Sequence, residues 1–115
     1  MIILEDISFE RYQSLAFITS GAGGDDPELA LTVSALGLAG EAGEVADLIK
    51  KMIGHGHSIP KAKLLDEIGD VLWYIADICS KLGLDMEKAA SGNIAKLAKR
   101  YPDGFSEERS KNRKA

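Results

Sequence analysis

Cysteine is nearly absent from this 115-residue sequence, in which Cys79 stands alone. A single thiol closes no intrachain disulfide and builds no cysteine zinc cluster, and a reducing cytoplasm is the compartment it fits. Positive charge is also short. The formal net charge is -4 and the pI about 5.1, whereas a general nucleic-acid binder carries a basic face. Small anionic substrates stay open, because a bound metal reverses the local field. The opening Met1-Ile-Ile-Leu-Glu-Asp6 has no basic segment and turns acidic at once, unlike a secretory signal. No uninterrupted apolar run approaches the ~20 residues that span a bilayer, so neither nucleic acid nor membrane is an expected partner. Strand-like alternation and internal repeats are missing too.

The residues that are present read as helices with short punctuated loops. At this length residues 1–115 form one domain with one core. Ser8 caps a first helix over Phe9 to Thr19. Asp26 and Pro27 open a second, from Glu28 to Ile53, since Pro suits the first helical position. Gly54-His-Gly-His-Ser-Ile-Pro60 breaks it. A third helix runs from Lys61 to Leu82 and stops at Gly83. A fourth follows the Asp85 cap to Arg100, before Pro102 and Gly104. Glu107 to Ala115 is highly charged and reads as an extended or frayed end. The expected fold is all-α: a four-to-five-helix bundle with two long antiparallel helices.

Those two helices carry the chemistry. Glu41-Ala-Gly-Glu44 and Glu67-Ile-Gly-Asp70 each place two carboxylates three residues apart, on one helix face. Packed face to face, they bring four anions together, a pattern that calls for a divalent cation with oxygen ligands. On the third helix, Leu64, Ile68, Val71, Leu72, Ile75, Ile78 and Cys79 form an apolar face at about 100° per residue. Lys63, Glu67, Asp70, Tyr74 and Asp77 form a stripe opposite, and a polar stripe taken alone reads as a solvated face. On the second helix, Glu41 and Glu44 share an arc with Ser34, Gly37 and Leu48. Acids in such company are partly buried and need a partner or a metal. Gly37, Gly40 and Gly43 each cost about 1 kcal/mol in a helix interior, which implies close approach of a neighbouring backbone or bound group. No Lys-Ser or Lys-Thr follows them and no strand precedes them, so they are not a phosphate loop. His55 and His57 have no third nitrogen ligand nearby and read as loop residues.

With both acidic pairs on helices, the chain resembles the MazG-like nucleoside triphosphate pyrophosphohydrolases of the all-α NTP pyrophosphatase superfamily. The resemblance runs from Tyr12 to Arg113. It rests on Leu36-Gly-Leu-Ala-Gly-Glu-Ala-Gly-Glu-Val-Ala-Asp47, His55-Gly-His57, Asp66-Glu-Ile-Gly-Asp-Val-Leu-Trp-Tyr74, Asn93-Ile-Ala-Lys-Leu97 and Arg100-Tyr-Pro-Asp-Gly-Phe-Ser106. It implies hydrolysis of a nucleoside triphosphate to the monophosphate and pyrophosphate, with Mg²⁺, or Mn²⁺ in its place. It also implies a role in nucleotide-pool housekeeping. By position, Glu41, Glu44, Glu67 and Asp70 are the metal ligands and catalytic acids, with Glu41 and Glu44 the better candidates for general base. Lys63, Lys96 and Arg100 are the phosphate clamps. Asn93, on the face of Lys96 and Arg100, and Tyr74, one turn after Asp70, complete the substrate contacts. Related chains form dimers or dimers of dimers, so a homodimer is expected, with Lys96 and Arg100 able to serve the neighbouring chain. Two alternatives stand beside this reading: a phosphoribosyl-ATP pyrophosphohydrolase-like enzyme on the same scaffold, and a non-catalytic helical interaction module. A di-iron bundle is disfavoured, because neither His stands three residues after a Glu.

Overall fold

Side-chain caps open four of the five helices found among the described residues. In this computed structural model those residues are 4–21, 25–56, 58 and 60–113; His57 and the chain ends lie outside them. Ser8 accepts from the Arg11 amide ahead of α1 (Phe9–Ile18), and Asp26 from the Leu29 amide ahead of α2 (Pro27–Gly54). Asp85 accepts from the Glu87 amide ahead of α4 (Met86–Arg100), and Ser106 from the Arg109 amide ahead of α5 (Glu107–Lys111). Each bond satisfies an amide that the first turn would leave bare. α3 (Lys61–Leu82) follows Pro60 without a side-chain cap. It ends at Gly83, whose φ of 67° lets Leu84 N–H reach back to the Cys79 carbonyl at 2.8 Å. The expected all-α class holds. β pairing among the described residues is confined to an isolated bridge between Pro102 and Gly104. The end of the chain departs from expectation: Glu107 to Lys111 is a capped helical turn, since Ser106 supplies the acceptor that the charged tail alone lacked.

The core is small and built from small side chains. Ala16, Ala76, Cys79 and Met86 are buried together, with Tyr12, Leu72, Trp73 and Ile75 packed against them. α1 lies on α3 and α4, and α4 also touches α3. Gln13 stitches this end: its Nε2 donates to the Leu84 carbonyl at 2.8 Å, and its Oε1 accepts from Met86 N–H at 2.9 Å. Trp73 packs against this core and donates from Nε1 to Thr19 Oγ1 at 2.8 Å.

α2 and α3 pair along their length. Ser34 meets Asp77, Gly37 meets Tyr74, and Glu41 meets Asp70 and Glu67. The reversed order of partners makes the pair antiparallel. The polar stripe of α3 is therefore not a solvated face. It is turned toward α2, and Asp77 is only 2% exposed, whereas Ile68 on the supposed apolar face is 42% exposed. The close approach expected at three glycines occurs within this chain only at Gly37. A Cβ there would come within 2.5 Å of Tyr74 Cζ, while at Gly40 and Gly43 it would meet nothing within 4 Å.

α2 has a further property that its sequence conceals. It contains an 18-residue window of mean hydropathy 1.3, long and apolar enough by length and composition to cross a bilayer, and only 11% of that window is buried. Scattered Gly, Ser and Thr hide this in the sequence, because no run is uninterrupted.

Gly37→Ala should destabilise the protein. The substitution gains about 1 kcal/mol of helix propensity but overpacks the Tyr74 ring, at a cost of about 1–3 kcal/mol. Urea denaturation should show a net loss, with Tyr74 fluorescence or quenching changed as the ring is displaced.

Candidate metal centre

Three of the four motif acids converge across the α2–α3 contact. Glu41 from α2 and Glu67 and Asp70 from α3 each offer a carboxylate oxygen, and these oxygens lie within 4.8 Å of one another. Glu41 and Glu67 are half-buried and Asp70 is exposed. The geometry follows from local structure: Glu67 and Asp70 stand one turn apart on α3, and the antiparallel pairing carries Glu41 to them. Glu44, one turn beyond Glu41, is exposed and outside the group of three. It is close enough that its charge acts on Glu41.

Among the described residues no ion pair reaches Glu41, Glu67 or Asp70. Ion pairs among the described residues involve other acids: Asp47 with Lys51 at 2.9 Å and Lys50 at 3.7 Å, and Asp77 with Lys81 at 2.6 Å. Lys51 beside Asp47 holds that carboxyl below its ordinary value, chiefly through their hydrogen bond. Glu41 is pushed the other way. Its carboxyl is raised above the ordinary value by a hydrogen bond to Glu67, then by burial, then by the charges of Asp70, Glu67 and Glu44. The Tyr12 phenol is also raised, by burial and by the Asp70 charge. That places α1 within the field of the site, a neighbour that sequence spacing did not reveal.

The donor set is oxygen only, which suits a hard divalent cation such as Mg²⁺ or Mn²⁺. The raised Glu41 and the absence of a basic partner are the structural signs that the group fits one. Tyr74 lies half-buried against Gly37, one turn from Asp70, with its ring edge-on to Trp73 at 5.1 Å and 88°. Lys63 is exposed on the first turn of α3, one turn before Glu67. The α4 cations are elsewhere. Lys96 and Arg100 line a cleft of about 650 Å³ with Lys99, Arg109, Asn112 and Arg113, and none of the four motif acids lines it. Asn93 is exposed on the same helix and does not line the cleft. His55 caps α2 through its backbone, donating its amide to the Lys51 carbonyl at 3.2 Å.

A helical frame with an acidic cation site on two antiparallel helices defines the all-α nucleotide pyrophosphohydrolase class. Sequence comparison agrees: residues 31–105 match the MazG nucleotide pyrophosphohydrolase domain. The chain belongs to this family. It is similar to the Gene 37 protein of Mycobacterium phage L5, with 33% identity over 91 residues, covering 76% of this chain and 80% of the phage protein. No solved structure matches it.

The raised Glu41 carboxyl sets a pH dependence. Because the fold disfavours its charged form, Glu41 leaves stability intact below its ordinary value of 4.5 and erodes it as pH rises through the raised folded value. Glu41→Gln should therefore melt higher than the parent without metal, by a margin that opens as pH rises above that ordinary value. Adding Mn²⁺ should narrow or reverse the margin, since a ligand that binds only the native parent stabilises it by mass action. Melting curves of both chains across pH, with and without Mn²⁺, test this.

Proposed function

We propose that this protein hydrolyses a nucleoside triphosphate between the α and β phosphates, releasing the monophosphate and pyrophosphate, in a Mg²⁺-dependent reaction that Mn²⁺ also supports. The observation that carries the reading is the convergence of Glu41, Glu67 and Asp70, without a basic partner, inside a MazG domain. The role is nucleotide-pool housekeeping in the cytoplasm. Glu41, Glu67 and Asp70 hold the cation, which would offset charge on the phosphate oxygens and favour attack at the α-phosphorus. Glu44 stands outside the group of three and within its field, so it is the carboxylate left to take the proton of the attacking water. Lys63 reaches toward the phosphates from the start of α3, and Tyr74 borders the sugar or base.

Lys96 and Arg100 grip the departing phosphates from a second copy. Within one chain they face the α4–α5 cleft, with α4 packed on α1 and α3. A homodimer also answers an exposed apolar seam. Leu29, Val33 and Leu36 are 57%, 57% and 68% exposed, and with the open Gly40 and Gly43 they follow alternating steps of four and three along α2. That spacing suits close helix pairing. The radius of gyration is 17.3 Å, against about 13 Å for a compact chain of this length. A second copy covers the seam better than a bilayer, because Glu41 and Glu44 on the same helix are costly in hydrocarbon.

Pyrophosphate release across canonical and modified nucleoside triphosphates, with phosphoribosyl-ATP included, tests the activity. Glu41→Gln, Glu67→Gln and Asp70→Asn should each lower turnover at least ~100-fold and weaken Mn²⁺ binding. Glu44→Gln should lower kcat comparably with a smaller effect on Mn²⁺ affinity. Near-native turnover in two or more of these variants would remove the site assignment.

Leu36→Glu should convert the dimer to a monomer in light scattering, by placing a charge in the seam. A parent that is monomeric at micromolar concentration would contradict the dimer.

A further inference from the structure

Two turns along the α2–α3 contact from the acids lies a second polar layer that the reaction does not use. Ser34 on α2 is 3% exposed and Asp77 on α3 is 2% exposed. The Ser34 hydroxyl lies 2.7 Å from Asp77 Oδ2 and 3.1 Å from the Ala30 carbonyl, and its one proton favours the nearer, charged acceptor. Lys81 Nζ donates to Asp77 Oδ2 and to Ser34 Oγ, both at 2.6 Å. The three groups close a triangle. Burial pushes the Asp77 carboxyl up, yet hydrogen bonding from Lys81, Ser34 and Ser20 leaves it below its ordinary value. Asp77 Oδ1 is buried and accepts no hydrogen bond of good geometry from the described residues.

This is an expensive arrangement for stability alone. A buried ion pair is often no better than apolar residues of the same volume, and an unpaired buried oxygen adds cost. What the triangle supplies is direction. Lys81 and Asp77 are both on α3, one turn apart, so their pair by itself says nothing about α2. Ser34 is the member that ties the pair to the other helix. It stands seven residues before Glu41, and Asp77 stands seven after Asp70, so the two layers share one register.

Register matters acutely here. Sliding α2 by one residue moves Glu41 about 1.5 Å along the axis and turns it about 100°. Mg²⁺ sites need near-octahedral geometry at about 2.0–2.1 Å, so such a slip dismantles the group. The Tyr74 ring against Gly37 favours the same offset by shape. Of the buried residues of α2, Ala30 and Ser34 are small and discriminate little between offsets by packing, and Leu48 lies beyond the acids. The acids themselves repel one another in the correct offset when no cation is bound.

We propose that Ser34, Asp77 and Lys81 form a register lock that positions Glu41 against Glu67 and Asp70 for cation binding. Ser34 is the decisive positioning residue. The proposal rests on the metal-binding reading above.

The test compares variants by Mn²⁺ affinity, measured by titration calorimetry, alongside melting temperature. Ser34→Ala keeps the Lys81–Asp77 pair and removes the tie to α2. It should fold and bind Mn²⁺ about 10-fold more weakly, the lower edge of losses seen when groups beyond the ligands are removed. Asp77→Leu with Lys81→Met removes the triangle and leaves the Ser34 hydroxyl free to turn its proton to the Ala30 carbonyl. This double variant should melt as high as the parent or higher and still lose Mn²⁺ affinity, a separation that a merely structural role does not produce. Asp85→Ala, which removes the α4 cap, should lower the melting temperature and leave Mn²⁺ affinity unchanged. Native Mn²⁺ affinity in Ser34→Ala would overturn the lock even if the double variant fails to fold. Equal loss of affinity in Asp85→Ala would overturn it by tracing the effect to general destabilisation. A parent that binds no Mn²⁺ would overturn the metal reading itself, and the lock with it.

Discussion

The antiparallel contact between α2 and α3 is the constraint on which this molecule depends. It is lined by polar groups where most helix pairs carry hydrocarbon: a buried Ser–Asp–Lys triangle, a tyrosine ring seated on a glycine, and three converging carboxylates. Two of these layers favour the same offset by different physical means. The triangle does so through directional hydrogen bonds and the ring through shape. The carboxylates oppose the offset until a cation neutralises them. Binding the cation and completing the helix pair are therefore parts of one equilibrium, which is the general link between metal sites and folding.

The rest of the fold braces one end of that pair. α1 and α4 pack against the C-terminal half of α3 through Ala16, Ala76, Cys79 and Met86, and Gln13 fastens α1 to the turn between α3 and α4. The C-terminal part of α2 and the N-terminal part of α3 project beyond this support. Ile53 and Leu65 there are 76% and 71% exposed. The acids sit between the braced and the projecting ends, reachable from solvent yet anchored by the layer behind them. A small apolar core contributes modestly at about 25 cal/mol per Å² buried, and in one chain the α2 seam of Leu29, Val33 and Leu36 stays exposed.

Charge is divided in the same way. The anionic group lies on α2 and α3, and the cationic cleft on α4 and α5. Held apart in one chain, the two neither quench each other nor collapse into ion pairs.

Much was legible from residue order alone. Ser8, Asp26 and Asp85 mark helix starts, and Gly83 marks a stop, because capping is chemistry within a few residues of the helix end. The two acidic pairs announce a cation site because spacing of three puts both groups on one face. Ser106 as a cap escaped notice in a strongly charged tail, and the apolar length of α2 was hidden by interspersed small residues. The α3 stripe taken alone read as solvated for a physical reason: periodicity separates polar from apolar faces but does not say that another helix will cover the polar one as well. Tertiary structure alone decided that Asp77 is buried, that Glu44 stands outside the group of three, and that Lys96 and Arg100 line a cleft that none of the acids lines. Those outcomes depend on the offset and angle between helices distant in sequence, and no local pattern encodes them.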